Sequence, residues 1–229
     1  MHIELLQSGS LEVVIRAIRT CYDSMGKSDS LTQNGEFILG AHDKALIKTI
    51  IDSGHHSTIE HLSYTFHIEG ISRGCLQELA RHRIASMSVK STRYTLGRIK
   101  NEDTFLAPPE YWGDNGELKV FRYNTEKAGK YLVYTEDDHV NHAAIDALER
   151  LRVLATLGKP NDQLKYCLPE AMKTELIWTI NARSLRNFME LRTSPRAHWE
   201  IRKTAEVIKS LIPAEHLVLF GGILCENLD

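Results

Sequence analysis

The sequence predicts an α+β fold. Two segments alternate apolar and polar residues with period two, and several longer ones place apolar residues at helical spacing. The two kinds do not follow one another in a regular βαβ order, which argues for antiparallel strands set among helix pairs.

Residues 9–21 carry Leu11, Val14, Ile15 and Ile18 on one helical face. Residues 41–53 repeat the pattern with Leu46, Ile47, Ile50 and Ile51, and Gly54 ends that helix. In residues 62–69, Leu62, Tyr64, Phe66 and Ile68 alternate with Ser63, Thr65, His67 and Glu69, the pattern of a half-buried strand. Ser72 can cap a helix running to about Ala85, buried through Cys75, Leu76 and Leu79, with Arg81–Arg83 in its last turns. The chain then turns polar and extended, and residues 100–117, with Pro108, Pro109, Gly113 and Gly116, read as a loop excursion. Helices are expected over 117–134 and 138–157, the second broken by Gly158-Lys-Pro160. Met172, Thr174, Leu176, Trp178 and Ile180 mark a second strand. A helix from Ala182 to Leu191 follows, with Asn181 as its cap, and Ser194-Pro195 is expected to open the last long helix.

The 229 residues are enough for one sizeable core, and the whole chain is read as a single domain, 1–229. Hydrophobic residues at 42% and charged ones at 25% are ordinary for a globular protein, and no apolar run reaches a membrane span of about 20 residues. The Met1-His-Ile-Glu-Leu-Leu start offers no basic region or cleavage site, so a cytoplasmic protein without a signal peptide is expected. Cys21, Cys75, Cys167 and Cys225 are far apart and form no CxxC pair, which fits buried reduced thiols better than a disulfide frame or a zinc site.

The most informative stretch is Arg81 to Tyr94. Between Arg73 and Lys100 lie seven Lys/Arg residues and one acid, Glu78, in a chain of net charge −2. A local cationic cluster on a near-neutral protein suggests an anion site, with Ser91 and turn N–H groups cradling a phosphate that Arg93 pairs with. A nucleic-acid surface over 73–100 is the alternative, weakened by the overall charge. Gly54-His-His-Ser-Thr-Ile-Glu-His61 holds three histidines, but His55 and His56 are adjacent and point apart, which argues against zinc. Ser57-x-x-Glu60 could be a capping box. From Asn181 to Arg192, positions 183, 187 and 191 share one helical face.

Arg81-His82-Arg83, seven residues and then Ser91 resembles the RHRx7S signature of the flavin-dependent thymidylate synthases. Gly54-His55, Glu60-His61, Tyr64-Thr-Phe-His67, Leu168-Pro169, Trp178-Thr-Ile-Asn-Ala-Arg-Ser184, Leu191-Arg192 and Ala197-x-Trp-Glu-Ile201 fall in that family's order. The match covers roughly residues 50–205.

The resemblance implies methylation of dUMP to dTMP. Methylenetetrahydrofolate would supply the carbon and FAD reduced by NADPH the hydride, with tetrahydrofolate released and no cysteine nucleophile. It implies a twisted antiparallel sheet flanked by helices, assembled as a homotetramer with active sites at subunit junctions, and neither nucleic acid nor membrane as partner. Ser57, Arg81, His82, Arg83, Val89, Asn181, Ala182, Arg183 and Asn187 would meet FAD. Glu78, Arg81, Val89, Lys90, Ser91, Thr92, Arg93, Lys165 and Arg192 would meet dUMP, with Arg192 at the uracil edge as the catalytic group. His55 would lie where folate or NADPH stacks, and no metal is implied. The chain departs from the family pattern at Val89, often Glu; at Glu78, often Gln; and at Lys165, often Arg. A Lys there keeps the charge but loses the bidentate fork.

Overall fold

The computed structural model describes residues 1–111 and 119–224. The chain opens with β1 (His2–Ser8) and α1 (Leu11–Cys21). Ser10 caps α1 by accepting from the Glu12 N–H at 3.1 Å. A hairpin of β2 (Leu31–Gln33) and β3 (Glu36–Ile38) turns at Asn34-Gly35, whose φ values of 53° and 83° are those of a type I′ turn.

Helix α2 (Ala41–Asp52) ends where the sequence predicts. Gly54, at φ 79°, donates to the Ile51 carbonyl and His55 to that of Ile50, both at 3.1 Å, a Schellman closure. This delivers the chain into a 3-10 turn, His56–His61, and on to β4 (Ser63–Ser72). Helix α3 (Arg73–Ala80) is capped by Ser72, whose Oγ accepts from the Cys75 N–H at 2.9 Å.

The helix stops at Ala80, not Ala85, so Arg81–Arg83 follow it in non-helical backbone, and β5 (Ala85–Val89) comes next. The alternation Ala85-Ser-Met87-Ser-Val89 is the period-two signal of that strand. After α4 (Thr92–Thr95) and a 3-10 turn, β6 (Leu106–Tyr111) pairs antiparallel with β7 (Lys119–Tyr123). The expected loop is thus partly a β-ribbon, with a register shift between Ala107 and Glu110 where two prolines lack N–H groups. Gly113 and Gly116 lie outside the described residues.

The helix expected over 117–134 is replaced by β7 and the single turn α5 (Thr125–Ala128). Val120, Phe121 and Tyr123 are strand formers, and Gly129 follows the turn. Then come α6 (Asp138–Thr156), capped by Asp137, α7 (Asn161–Leu164), β8 (Lys173–Asn181) and α8 (Ala182–Arg192). The last helix, α9 (Trp199–Ser210), starts at Trp199 and not at Ser194-Pro195. That dipeptide forms a turn instead, with the Ala197 N–H on the Ser194 carbonyl at 2.9 Å.

These elements make two compact units. One comprises Met1–Ile68, Glu78–Ser88 and Leu176–Asp229; the other Glu69–Gln77 and Val89–Glu175. The four-stranded sheet has the order β1-β4-β8-β5. Its neighbours are antiparallel: Gly9 after β1 bonds to Ser63 at the start of β4, Ala182 after β8 bonds to Leu62 before β4, and Lys90 after β5 bonds to Glu175 near the start of β8. The alternation read from the sequence is the buried face, with Tyr64, Phe66, Ile68, Leu176, Trp178 and Ile180 at 0–2% exposure.

In the first unit, α8 lies against this face, with Phe188 edge-on to Trp178 at 5.1 Å. The unit also encloses an ion pair. Asp43, fully buried, accepts from Arg19 Nε at 2.9 Å, and from Ser28 and Ser30 at 2.5 and 2.6 Å. The second unit has its own core, in which Leu96, Ile99, Phe105 and Leu132 meet Ile145, Leu148 and Leu151 of α6. Contrary to the expectation of buried thiols, Cys21 and Cys167 are exposed; Cys75 is buried, and Cys225 lies outside the described residues. Among the described residues no helix is long and apolar enough to cross a membrane.

Candidate functional site

Helix α8 presents two faces. Ala182, Leu185, Phe188 and Met189 are buried. Arg183, Asn187 and Leu191, one helical turn apart, line a cavity of about 1070 Å³ in the first unit. Asn181 fixes the start of the helix, its side-chain oxygen accepting from the Ser184 N–H at 2.8 Å, and lines the same cavity. The non-helical segment Arg81-His82-Arg83-Ile84, which follows the end of α3, lines the same cavity. The 3-10 turn adds His56 and Glu60, and Arg192 completes the wall.

Arg192 is the most constrained of these groups. Its Nε donates to His82 Nε2 at 3.0 Å, Nη1 to the Glu78 carboxylate at 2.8 Å and Nη2 to the Glu78 main-chain carbonyl at 3.3 Å. The second Glu78 oxygen lies 3.9 Å from Arg81 Nη1. His82 is 9% exposed and packs edge-on to Phe188 at 5.0 Å. Burial, and then the Arg192 charge, push its pKa down to about 4, with Glu78 acting in the opposite direction. The ring is therefore neutral near pH 7. Because Nε2 accepts from Arg192, its proton sits on Nδ1.

The expected site residues do not all gather here. Arg81, His82, Arg83, Asn181, Arg183, Asn187 and Arg192 line the cavity; Ala182 is buried beneath it. Ser57 and His55 are exposed and outside the lining, with His55 Nδ1 3.1 Å from the Tyr22 hydroxyl. The turn His56–His61 has His55, not Ser57, at its N-cap and no side-chain capping bond there, so Ser57-x-x-Glu60 does not sit at a capping-box position. Glu60 instead pairs with Arg183 at 2.5 Å. Seven cavity residues fall outside the predicted set: His56, Glu60, Ile84, Ser184, Arg186, Glu190 and Leu191. Arg186 and Glu190 were legible as neighbours of 183 and 187 on the helix. Glu60 became a site residue only through its long-range partner.

The rest of the expected set lies in the second unit. Lys90 and Thr92 line a smaller cavity of about 300 Å³ with Thr95, Arg98, Lys130 and Lys173. Lys90 is held by Glu175, through its N–H at 2.8 Å and its Nζ at 3.1 Å. Val89 is exposed. Ser91 precedes α4 without a side-chain capping bond, and its carbonyl accepts from Thr95 Oγ1 at 3.0 Å. The exposed Arg93 has its carbonyl fixed by Asn161 Nδ2 of α7 at 2.6 Å. Lys165, also exposed, directly follows α7. Among the described residues no three His, Cys, Asp or Glu side chains stand together as a metal site.

Comparison with known proteins bears on both groups. The family model described as "Thymidylate synthase complementing protein" matches residues 4–216. The chain is 50% identical to a flavin-dependent thymidylate synthase of Wolinella succinogenes over 221 residues, covering 96% of this chain and 97% of that one. It is 44% identical to that of Campylobacter jejuni over the full length of both. A crystal structure of flavin-dependent thymidylate synthase from Helicobacter pylori, complexed with FAD and dUMP, superposes with a TM-score of 0.82 at 40% identity, covering 97% of this chain and 99% of the other. With its signature triplet and its α8 face on one cavity, and with full-length relatives of this kind, the chain belongs to the flavin-dependent thymidylate synthase family.

Proposed function

We propose that this protein methylates dUMP to dTMP, with methylenetetrahydrofolate as carbon donor and NADPH-reduced FAD as hydride source. The observation that carries the reading is that Arg81-His82-Arg83 and the Asn181–Arg192 face share one wall system, in a chain 40% identical to a Helicobacter pylori enzyme complexed with FAD and dUMP.

The donor set fits a flavin dinucleotide. Among the described residues, five guanidiniums face two carboxylates around the cavity, a net positive lining suited to a diphosphate. The volume is slightly above the about 300–1,000 Å³ of ligand pockets. Arg81, His82, Arg83, Asn181, Arg183 and Asn187 would hold the cofactor, with Ser57, Val89 and Ala182 beside them. When bound, the flavin supplies the reducing equivalents that complete the methyl group.

The chain's own groups position and polarise. Lys90, Ser91, Thr92, Arg93 and Lys165 offer cations and hydroxyls to the nucleotide phosphate. Arg192 would meet the uracil, where its fixed positive charge favours the N3-deprotonated ring and so raises the nucleophilicity of C5. No thiol is needed for that, and none of Cys21, Cys75 and Cys167 lines either cavity. His55 is assigned to folate or NADPH stacking.

The family match spans both compact units, which supports one catalytic domain. We assign the assembly to a cytoplasmic homotetramer whose active sites draw on several chains. The test is the visible spectrum of the purified protein with NADPH, with and without dUMP. Flavin bands that bleach faster with dUMP support the assignment, together with tritium release from C5-labelled dUMP. A colourless protein that takes up no FAD overturns it.

A further inference from the structure

We infer that Glu78 is a positioning residue acting through Arg192, one that decides which guanidinium N–H groups are left for the nucleotide. The inference rests on the assignment of Arg192 to the uracil. An arginine has five N–H donors in a fixed planar fork. Three are engaged here: Nε on His82, one Nη1 hydrogen on the Glu78 carboxylate and one Nη2 hydrogen on the Glu78 carbonyl. One N–H remains on each terminal nitrogen, and these two donors are what is left for the nucleotide.

Two features make Glu78 suited to this. It sits in the last turn of α3, where its main-chain carbonyl accepts only a long 3.4 Å bond from the Arg81 N–H and keeps a lone pair for a side-chain donor. Its carboxylate reaches both Arg192 and Arg81, at 2.8 and 3.9 Å, and so offsets the repulsion between two guanidiniums on one cavity. Glu78 itself is not part of the cavity lining, whereas Arg192 is. A Gln at position 78 would preserve the carbonyl and an acceptor oxygen but not the charge, so Glu78→Gln separates holding from charge compensation.

The test is a double-mutant cycle on the flavin-loaded enzyme, read both as turnover of dUMP and as calorimetric dUMP affinity. Glu78→Ala is expected to lower turnover about tenfold, the size usual for partners in one hydrogen-bond network. Glu78→Gln is expected to restore most of it. In an Arg192→Ala background, Glu78→Ala should change neither turnover nor affinity further. Additive losses in either readout would show that Glu78 acts on the nucleotide independently of Arg192, and the inference would be wrong. A Gln variant as impaired as the Ala variant would also overturn it. Near-normal turnover of Arg192→Ala alone would instead sink the assignment of Arg192. If the Ala variants fail to keep their flavin, Glu78→Asp and Arg192→Lys carry the same cycle.

Discussion

His82 should make the folded protein acid-sensitive in a defined window. Its neutral ring is enclosed by Phe188 and by the Arg192 guanidinium, and its pKa lies at about 4 against about 6.5 when exposed. The folded-state value is below the unfolded one, so the unfolded chain takes up the proton first. Stability from this group is therefore complete above about pH 6.5 and is lost as the pH falls toward 4. At pH 5 the linkage relation gives a loss of about 2 kcal/mol for this one histidine. The assay is urea unfolding at pH 7.5 and pH 5.0 of the wild type and of His82→Gln, whose amide oxygen can accept from Arg192 but cannot titrate. The buried His216 also has a lowered pKa, from burial, and contributes an acid loss common to both proteins. The difference between them isolates His82. If His82→Gln loses as much stability as the wild type between the two pH values, the reasoning is refuted.

Three further outcomes follow from single contacts. Arg93→Ala should weaken dUMP binding about 10–100-fold by calorimetry while leaving the flavin spectrum intact, the usual worth of one charge-assisted bond. Asp43→Ala leaves Arg19 buried without its carboxylate and should cost about 3–5 kcal/mol in chemical denaturation; a loss under 1 kcal/mol would mean that the pair is not closed in solution. Asn181→Ala removes the α8 cap and should cost about 1 kcal/mol, together with weaker flavin retention on gel filtration.

The strands and helices that carry the site were largely legible. β4 and β8 announced themselves because burying one face of an antiparallel strand forces strict alternation, and Tyr64, Phe66, Trp178 and Ile180 obey it. The α8 face was legible for the same kind of reason: residues 183, 187 and 191 share a side by helical period. Local chemistry misled where two continuations were close in energy. Ser194-Pro195 is a good helix start, yet the chain turns there and α9 begins at Trp199. The helix expected through Ala85 ended at Ala80, since Ala85–Val89 gains backbone hydrogen bonds as the strand beside β8.

By itself the sequence determined the fold class, the cationic character of the Arg81–Arg93 segment and the family signature. These are properties of residue type and short spacing, which a chain states one position at a time. Only the tertiary structure decided what each charge does. It brought Arg192 onto Glu78 and His82, more than a hundred positions earlier, and Arg183 onto Glu60. It also turned His82 from an ordinary histidine into a neutral acceptor. Burial and long-range pairing set the protonation and the free donors of a side chain, and neither is written in the spacing of neighbours.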